Sequence, residues 1–180
     1  MDFKKYNINT PEDLMNFLKQ NLQYGFVFKN KVFTETDPNF QKNMDKFYKL
    51  TLGEDLVKAG YGVCWDFCEF ERLFFEQAKI EHECYYFESF ISRAEGGPTH
   101  TFLIFKQNNK WCWFEYSWFM FRGIWEYTSK QEALKDIKQK YYKNNAGVSN
   151  IDIYKINKIT ERLNSYEFVE FCEHQEKILI

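Results

Sequence analysis

Apolar side chains recur at helical spacing in some stretches of this chain and at every second residue in others. Over residues 11–22, Leu14, Phe17 and Leu18 form one stripe; Thr10 is placed to cap the segment, Pro11 suits the first helical position, and Glu12 and Asp13 favour the N-terminal dipole. A helix is predicted there. Phe67, Phe70, Leu73, Phe74 and Ala78 repeat in the same way from residue 64 to about 79, after the break at Gly60-Tyr61-Gly62, and predict a buried central helix. Shorter helical segments are expected over 39–48 and 53–59. Ser129-Lys130-Gln131-Glu132 has the form of a capping box opening a helix to about residue 142, and Ser165 is placed to cap a last helix through Cys172.

Strand signals lie between these. Residues 24–33 read as one or two short strands, residues 80–87 alternate and are rich in β-formers, and 151–156 reads as one more strand. Residues 99–105 and 111–116 flank the polar stretch Gln107-Asn108-Asn109-Lys110, which predicts a hairpin. The class expected is α+β, with an antiparallel meander following a helix. No repeat and no Pro- or Gly-rich linker divides the sequence, so residues 1–180 are expected to form one domain.

Composition narrows the function classes. An aromatic share of 21% within a hydrophobic total of 44% excludes a disordered chain. Twenty-four basic against 26 acidic side chains leave no basic excess for phosphates, so nucleic acid is not expected as a partner. Apolar runs such as 102–105 and 118–121 fall far short of the ~18 residues of a membrane span, and no membrane partner is expected. The N-terminal segment lacks an apolar stretch of signal-peptide length, and five cysteines is an odd number at irregular spacing; both point to a reducing cytoplasmic setting with free thiols.

Three residues stand out by position. Cys64 opens the central helix, where the macrodipole and free N–H groups favour a thiolate, and its own N–H could serve as one oxyanion donor. His100 begins one hairpin strand and Glu115 nearly ends the other. With Asn108 and Asn109 as the two central turn residues, Phe102 pairs with Glu115, and His100 becomes a diagonal neighbour of Glu115 on the same face, with Cα atoms about 7–8 Å apart. A carboxylate there can hold one imidazole nitrogen and aim the other at a thiol. A three-residue loop would place the two on opposite faces.

The stretch Gly-Val-Cys-Trp-Asp-Phe-Cys, Gly62 to Cys68, followed by Leu73-Phe74-Phe75-Glu76-Gln77-Ala78-Lys79-Ile80, resembles the transglutaminase-like core of the papain-like cysteine-enzyme superfamily. His100-Thr101-Phe102-Leu103-Ile104-Phe105 is similar to that family's His-aromatic strand, and Lys110-Trp111-Cys112-Trp113-Phe114-Glu115 to its Trp-x-x-aromatic-Asp strand. The resemblance covers about residues 55–118. It implies a central helix starting at the cysteine and packed on an antiparallel sheet that carries His and the acid. It further implies Cys64 as nucleophile, His100 as general base and acid, and Glu115 as the residue orienting the imidazole. Glu115 stands where the family has Asp, and no side-chain oxyanion donor is legible upstream of Cys64.

The plainer readings are structural. Asp66 falls in the first helical turn, where a carboxylate commonly stabilises the N-terminus. Trp111, Trp113 and Trp118 read as core, one of them walling a cleft. Cys68 lies one turn from Cys64, where it could serve as a resolving thiol. Cys64, Cys68, His82, Cys84 and His100 include ligand types for zinc, but their spacing completes no knuckle, so no metal and no cofactor are expected. His82 and His174 read as exposed. The function expected is a cysteine-dependent hydrolase or acyltransferase acting on amide or peptide bonds through a thioester, with a peptide or protein substrate. The alternatives are a catalytically silent fold that binds peptides or proteins and, further off, a zinc-stabilised interaction domain.

Overall fold

In the computed structural model, which describes residues 1–92 and 95–180, the chain is of the α+β class, built around a six-stranded antiparallel sheet. Its strands are β5 (His82–Ser92), β6 (Glu95–Gln107), β7 (Lys110–Glu115), β8 (Gly123–Tyr127), β9 (Asn150–Ile156) and β10 (Glu176–Lys177), in the spatial order β10-β9-β5-β6-β7-β8. The hairpin turns on two residues, as its sequence predicts. Asn108 and Asn109 both take positive φ, 51° and 61°, which suits asparagine and matches the twist of the flanking strands. Gln107 pairs with Lys110, Phe105 with Cys112 and Leu103 with Phe114, so the even register holds.

Helices cover both faces of this sheet. On one lies α4 (Cys64–Gln77), whose Phe67, Phe70, Phe74 and Phe75 pack with Cys84, Tyr86, Leu103, Phe105 and Phe114 in one core. On the other lies α5 (Lys130–Asn144), whose Leu134, Ile137 and Tyr141 pack with Tyr85, Phe87, Phe102, Ile104 and Trp113. Alternation along the strands therefore feeds two cores, and this is where much of the aromatic share is used. Within α4, Arg72 Nε donates to both oxygens of the buried Glu69 at 3.1 and 3.2 Å, and its Nη2 ties the helix to the sheet by donating to the Ile156 carbonyl at 2.9 Å.

The N-terminal third wraps the α4 side. Helix α1 (Pro11–Asn21) opens with a reciprocal capping box, Thr10 Oγ1 accepting from Asp13 N and Asp13 Oδ2 accepting from Thr10 N. Residues 24–33, expected as one or two strands, divide into three: β1 (Gln23–Tyr24), β2 (Phe26–Phe28) and β3 (Lys31–Phe33). Gly25 separates the first two, and Lys29 and Asn30, both at positive φ, turn the chain between the last two. Helices α2 (Phe40–Phe47) and α3 (Glu54–Ala59) follow, then β4 (Tyr61–Gly62), which pairs in parallel with β1.

Helix α6 (Ser165–Glu173) corrects one expectation. Its cap is Asn164, whose Oδ1 accepts from Tyr166 N and Glu167 N, while Ser165 is already helical. Asn164 wins because its backbone is extended and its short amide reaches the free N–H groups one turn on. The edge strands β8 and β10, with weak pattern of their own, were not legible in the sequence. Among the described residues no helix is long and apolar enough to cross a membrane.

Candidate active site

Three elements converge: the first turn of α4, the interior of β6 and the end of β7; His100 lies within β6 opposite Phe87, not at a strand start as expected, because the strand begins already at Glu95. Cys64 is the first helical residue of α4, after an extended Val63, and is 5% exposed. No side chain caps this helix end in the usual position; instead Asp66 Oδ2 reaches back to accept from Val63 N at 2.7 Å. Asp66 Oδ1 accepts from Thr51 N at 2.7 Å and from Tyr48 Oη at 2.9 Å. Burial pushes this carboxyl up to about 7, against three donated hydrogen bonds that favour its charge. Asp66 thus fixes the approach to Cys64 and stitches it to residues 48–51, a structural part.

His100 and Glu115 meet as the register requires. His100 Nε2 donates to Glu115 Oε2 at 2.8 Å, with the imidazole 7% and the glutamate 1% exposed. The other carboxylate oxygen accepts from Trp118 N at 2.6 Å and Ser117 Oγ at 3.0 Å, so the acid is held on both sides. Cys64 lies close enough to act on the imidazole by its charge. Since Nε2 is committed to Glu115, the nitrogen left for Cys64 is Nδ1. Burial opposes a charged ring, but Glu115 and Cys64 outweigh it and hold the imidazole pKa up at about 10. The ring packs edge-on to Trp118 at 5.5 Å and lies near Phe102 and Tyr141. Trp118 is therefore the tryptophan that walls the cleft, while Trp113 is core.

The cleft in front has a volume of about 830 Å³ and is bounded by Tyr24, Glu35, His100, Trp118, Phe119 and Met120, among others. Phe119 and Met120 stand 79% and 66% exposed on a 3-10 turn, and the guanidinium of Arg122 lies 5.2 Å over the Phe119 ring and 4.4 Å over Tyr116. This rim is apolar and held in place.

Tyr24 is the neighbour that sequence reasoning missed. Its hydroxyl lies beside Cys64, and burial with the Cys64 charge pushes its pKa well above the usual value. Forty residues separate the two in sequence; parallel pairing of Tyr24 with Gly62 brings them together. Tyr61, the nearer tyrosine, and Trp65 do not take this place: Trp65 stacks on Phe168 at 4.1 Å in the core.

The remaining thiols lie elsewhere. Cys68 meets Cys84 of β5, and burial pushes its thiol well up, so it faces away from the part of resolving thiol. All five cysteines are free. Among the described residues no three His, Cys, Asp or Glu side chains group as metal ligands. His82 is half-buried, its Nδ1 at 2.8 Å from the Ile80 carbonyl, rather than exposed as expected.

No family model, curated protein or solved structure matches this chain.

Proposed function

We propose that the protein is a cysteine-dependent enzyme with a papain-like, transglutaminase-like core, acting on an amide or peptide bond through a thioester. The observation that carries this reading is the His100 ring, bonded through Nε2 to a buried, doubly held Glu115 and raised in pKa by a neighbouring cysteine that opens a helix. The ring is held protonated, so the thiol proton already sits on His100 Nδ1 before the attack. Cys64 Sγ forms a bond to the carbonyl carbon, and the carbonyl π pair moves onto oxygen. Collapse of that oxyanion re-forms the carbonyl and breaks the C–N bond, and the leaving amine takes the proton from Nδ1. Water or a second amine then attacks the thioester carbon, its proton passing to the now neutral His100 Nδ1; collapse of that second oxyanion re-forms the carbonyl and breaks the C–S bond, returning the Cys64 sulfur to its pairing with the protonated ring. Glu115 holds the ring in the orientation both steps need and stabilises its charge. The cleft, with its apolar rim, fits an extended peptide or a protein segment.

Iodoacetamide labelling across pH, read by peptide mass spectrometry, tests this. Cys64 should react well below pH 7.5 and His100→Ala should suppress that reactivity. If all five cysteines instead titrate near the ordinary thiol value of about 8.5, the enzyme reading falls and a peptide-binding fold without chemistry takes its place.

A further inference from the structure

Resting on that reading, we propose that Tyr24 is a catalytic residue of the site, supplying the side-chain hydroxyl of the oxyanion hole beside the Cys64 backbone N–H.

An oxyanion formed at Cys64 needs donors aimed at the oxygen, fixed before the reaction. The helix start offers one, the Cys64 N–H. A second must come from outside the helix, because the following N–H groups point along its axis. Tyr24 is placed to provide it. Backbone bonds from Gln23 N to the Gly60 carbonyl and from Gly25 N to the Gly62 carbonyl, both 2.9 Å, hold the tyrosine beside the strand that runs into Cys64. On its other side the Tyr116 hydroxyl donates to the Leu22 carbonyl, fixing β1 to the end of the strand that carries Glu115. Phe40 and Phe67 both pack against the ring, each with its centroid 6.3 Å away. The phenol is therefore held by the backbone pairing around it and by two neighbouring rings. It also lines the cleft, as a residue that meets an incoming carbonyl must.

In the free protein the pairing of Tyr24 with Gly62 makes the hydroxyl and the Cys64 N–H neighbours. A carbonyl oxygen entering between them takes both hydrogens. The phenol keeps its proton, since both burial and the Cys64 charge oppose ionisation. No bond to Tyr24 forms or breaks; it donates to the oxygen while the negative charge is there and relaxes as the thioester forms.

Two reactions of the same thiol separate this role from all others. Acylation by p-nitrophenyl acetate passes through an oxyanion and releases p-nitrophenolate; alkylation by iodoacetamide displaces iodide and forms none. Tyr24→Phe keeps the ring and removes only the hydroxyl. The expected result is acylation of Cys64 slowed by about 100-fold, with alkylation and its pH profile within about two-fold of the wild type. The proposal is overturned if both rates stay unchanged, if both rise, which would make Tyr24 a cover over the thiol, or if both fall together, which would make it an activator of the thiolate. A wild-type protein that alkylates selectively at Cys64 but does not acylate overturns it too. Loss of selective alkylation in the wild type is a different failure, that of the enzyme reading, and takes this inference with it.

Discussion

His100 and Glu115 are diagonal neighbours across a two-residue hairpin, and the 2.8 Å bond between them is the consequence of that even register. The carboxylate has no other work: its second oxygen is filled by Trp118 N and Ser117 Oγ. Replacing Glu115 with Gln keeps the shape but removes the charge that holds the ring protonated. The imidazole pKa, followed by NMR, should drop from about 10 toward 6.5. Turnover should fall on the order of 100- to 10 000-fold, as expected when a triad loses the charge on its third member. An unchanged imidazole titration in Glu115→Gln would show that the pair does not set the ring's state.

Much of this arrangement was legible before the structure because it is local. Asn108-Asn109 sets the hairpin register, and the register alone places His100 beside Glu115. Likewise Thr10, Pro11 and Ser129 mark helix starts through contacts three residues away. Tyr24 was not legible, because what brings it to Cys64 is a parallel pairing of two-residue strands about forty positions apart. Such pairings leave no periodicity behind. Asn164 was passed over for a different reason: two adjacent residues can both cap, and the choice rests on backbone angles that composition does not carry.

Glu71 makes a prediction about stability. It lies on α4, is 3% exposed, and its carboxyl is pushed well above the usual range by burial, then by Glu115, Cys84 and the Cys64 charge. A raised pKa in the folded state means the native protein binds more protons than the unfolded one above about pH 4.5. Stability is then fullest below that pH and declines as pH rises. His100 acts in the same direction in its own window: its contribution is complete below 6.5 and is lost as pH approaches about 10. Melting temperatures of Glu71→Gln should exceed those of the wild type at pH 7 to 8, with the gap closing toward pH 4.5. A variant that is less stable throughout would show that Glu71 is held as a carboxylate.

The cleft rim predicts how peptides are read. Phe119 and Met120 are exposed yet preorganised, with Arg122 packed over the Phe119 ring and Trp118 anchored by Glu115 at the base of the turn. Truncating both to Ala removes apolar surface that a peptide side chain would cover, at roughly 25 cal/mol per Å². Peptide substrates with a bulky apolar residue beside the scissile bond should show KM raised about ten-fold, with kcat little changed, since the triad is untouched. Equal loss for glycine-containing peptides would mean that the rim acts on the triad and not on the substrate.

Gly62 tests whether close packing, rather than backbone freedom, explains the glycine before the nucleophile. Its φ is not in the left-handed region, unlike that of Gly60 at 70°. A Cβ on Gly62 would lie 2.7 Å from Leu56 Cδ1, 3.0 Å from Phe67 Cε1 and 3.1 Å from Asp66 Cβ. Leu56 can move; Phe67 and Asp66 cannot without disturbing α4, because Phe67 is packed edge-on against Tyr116 and Asp66 is held by three donors. Gly62→Ala should therefore cost about 1–3 kcal/mol by overpacking. The displaced β4 should also weaken its pairing with β1, and with it the contact between Tyr24 and Cys64. Chemical denaturation measures the first effect and the p-nitrophenyl acetate rate the second. A stable Gly62→Ala protein with unaltered acylation would show that the segment entering Cys64 has slack to spare.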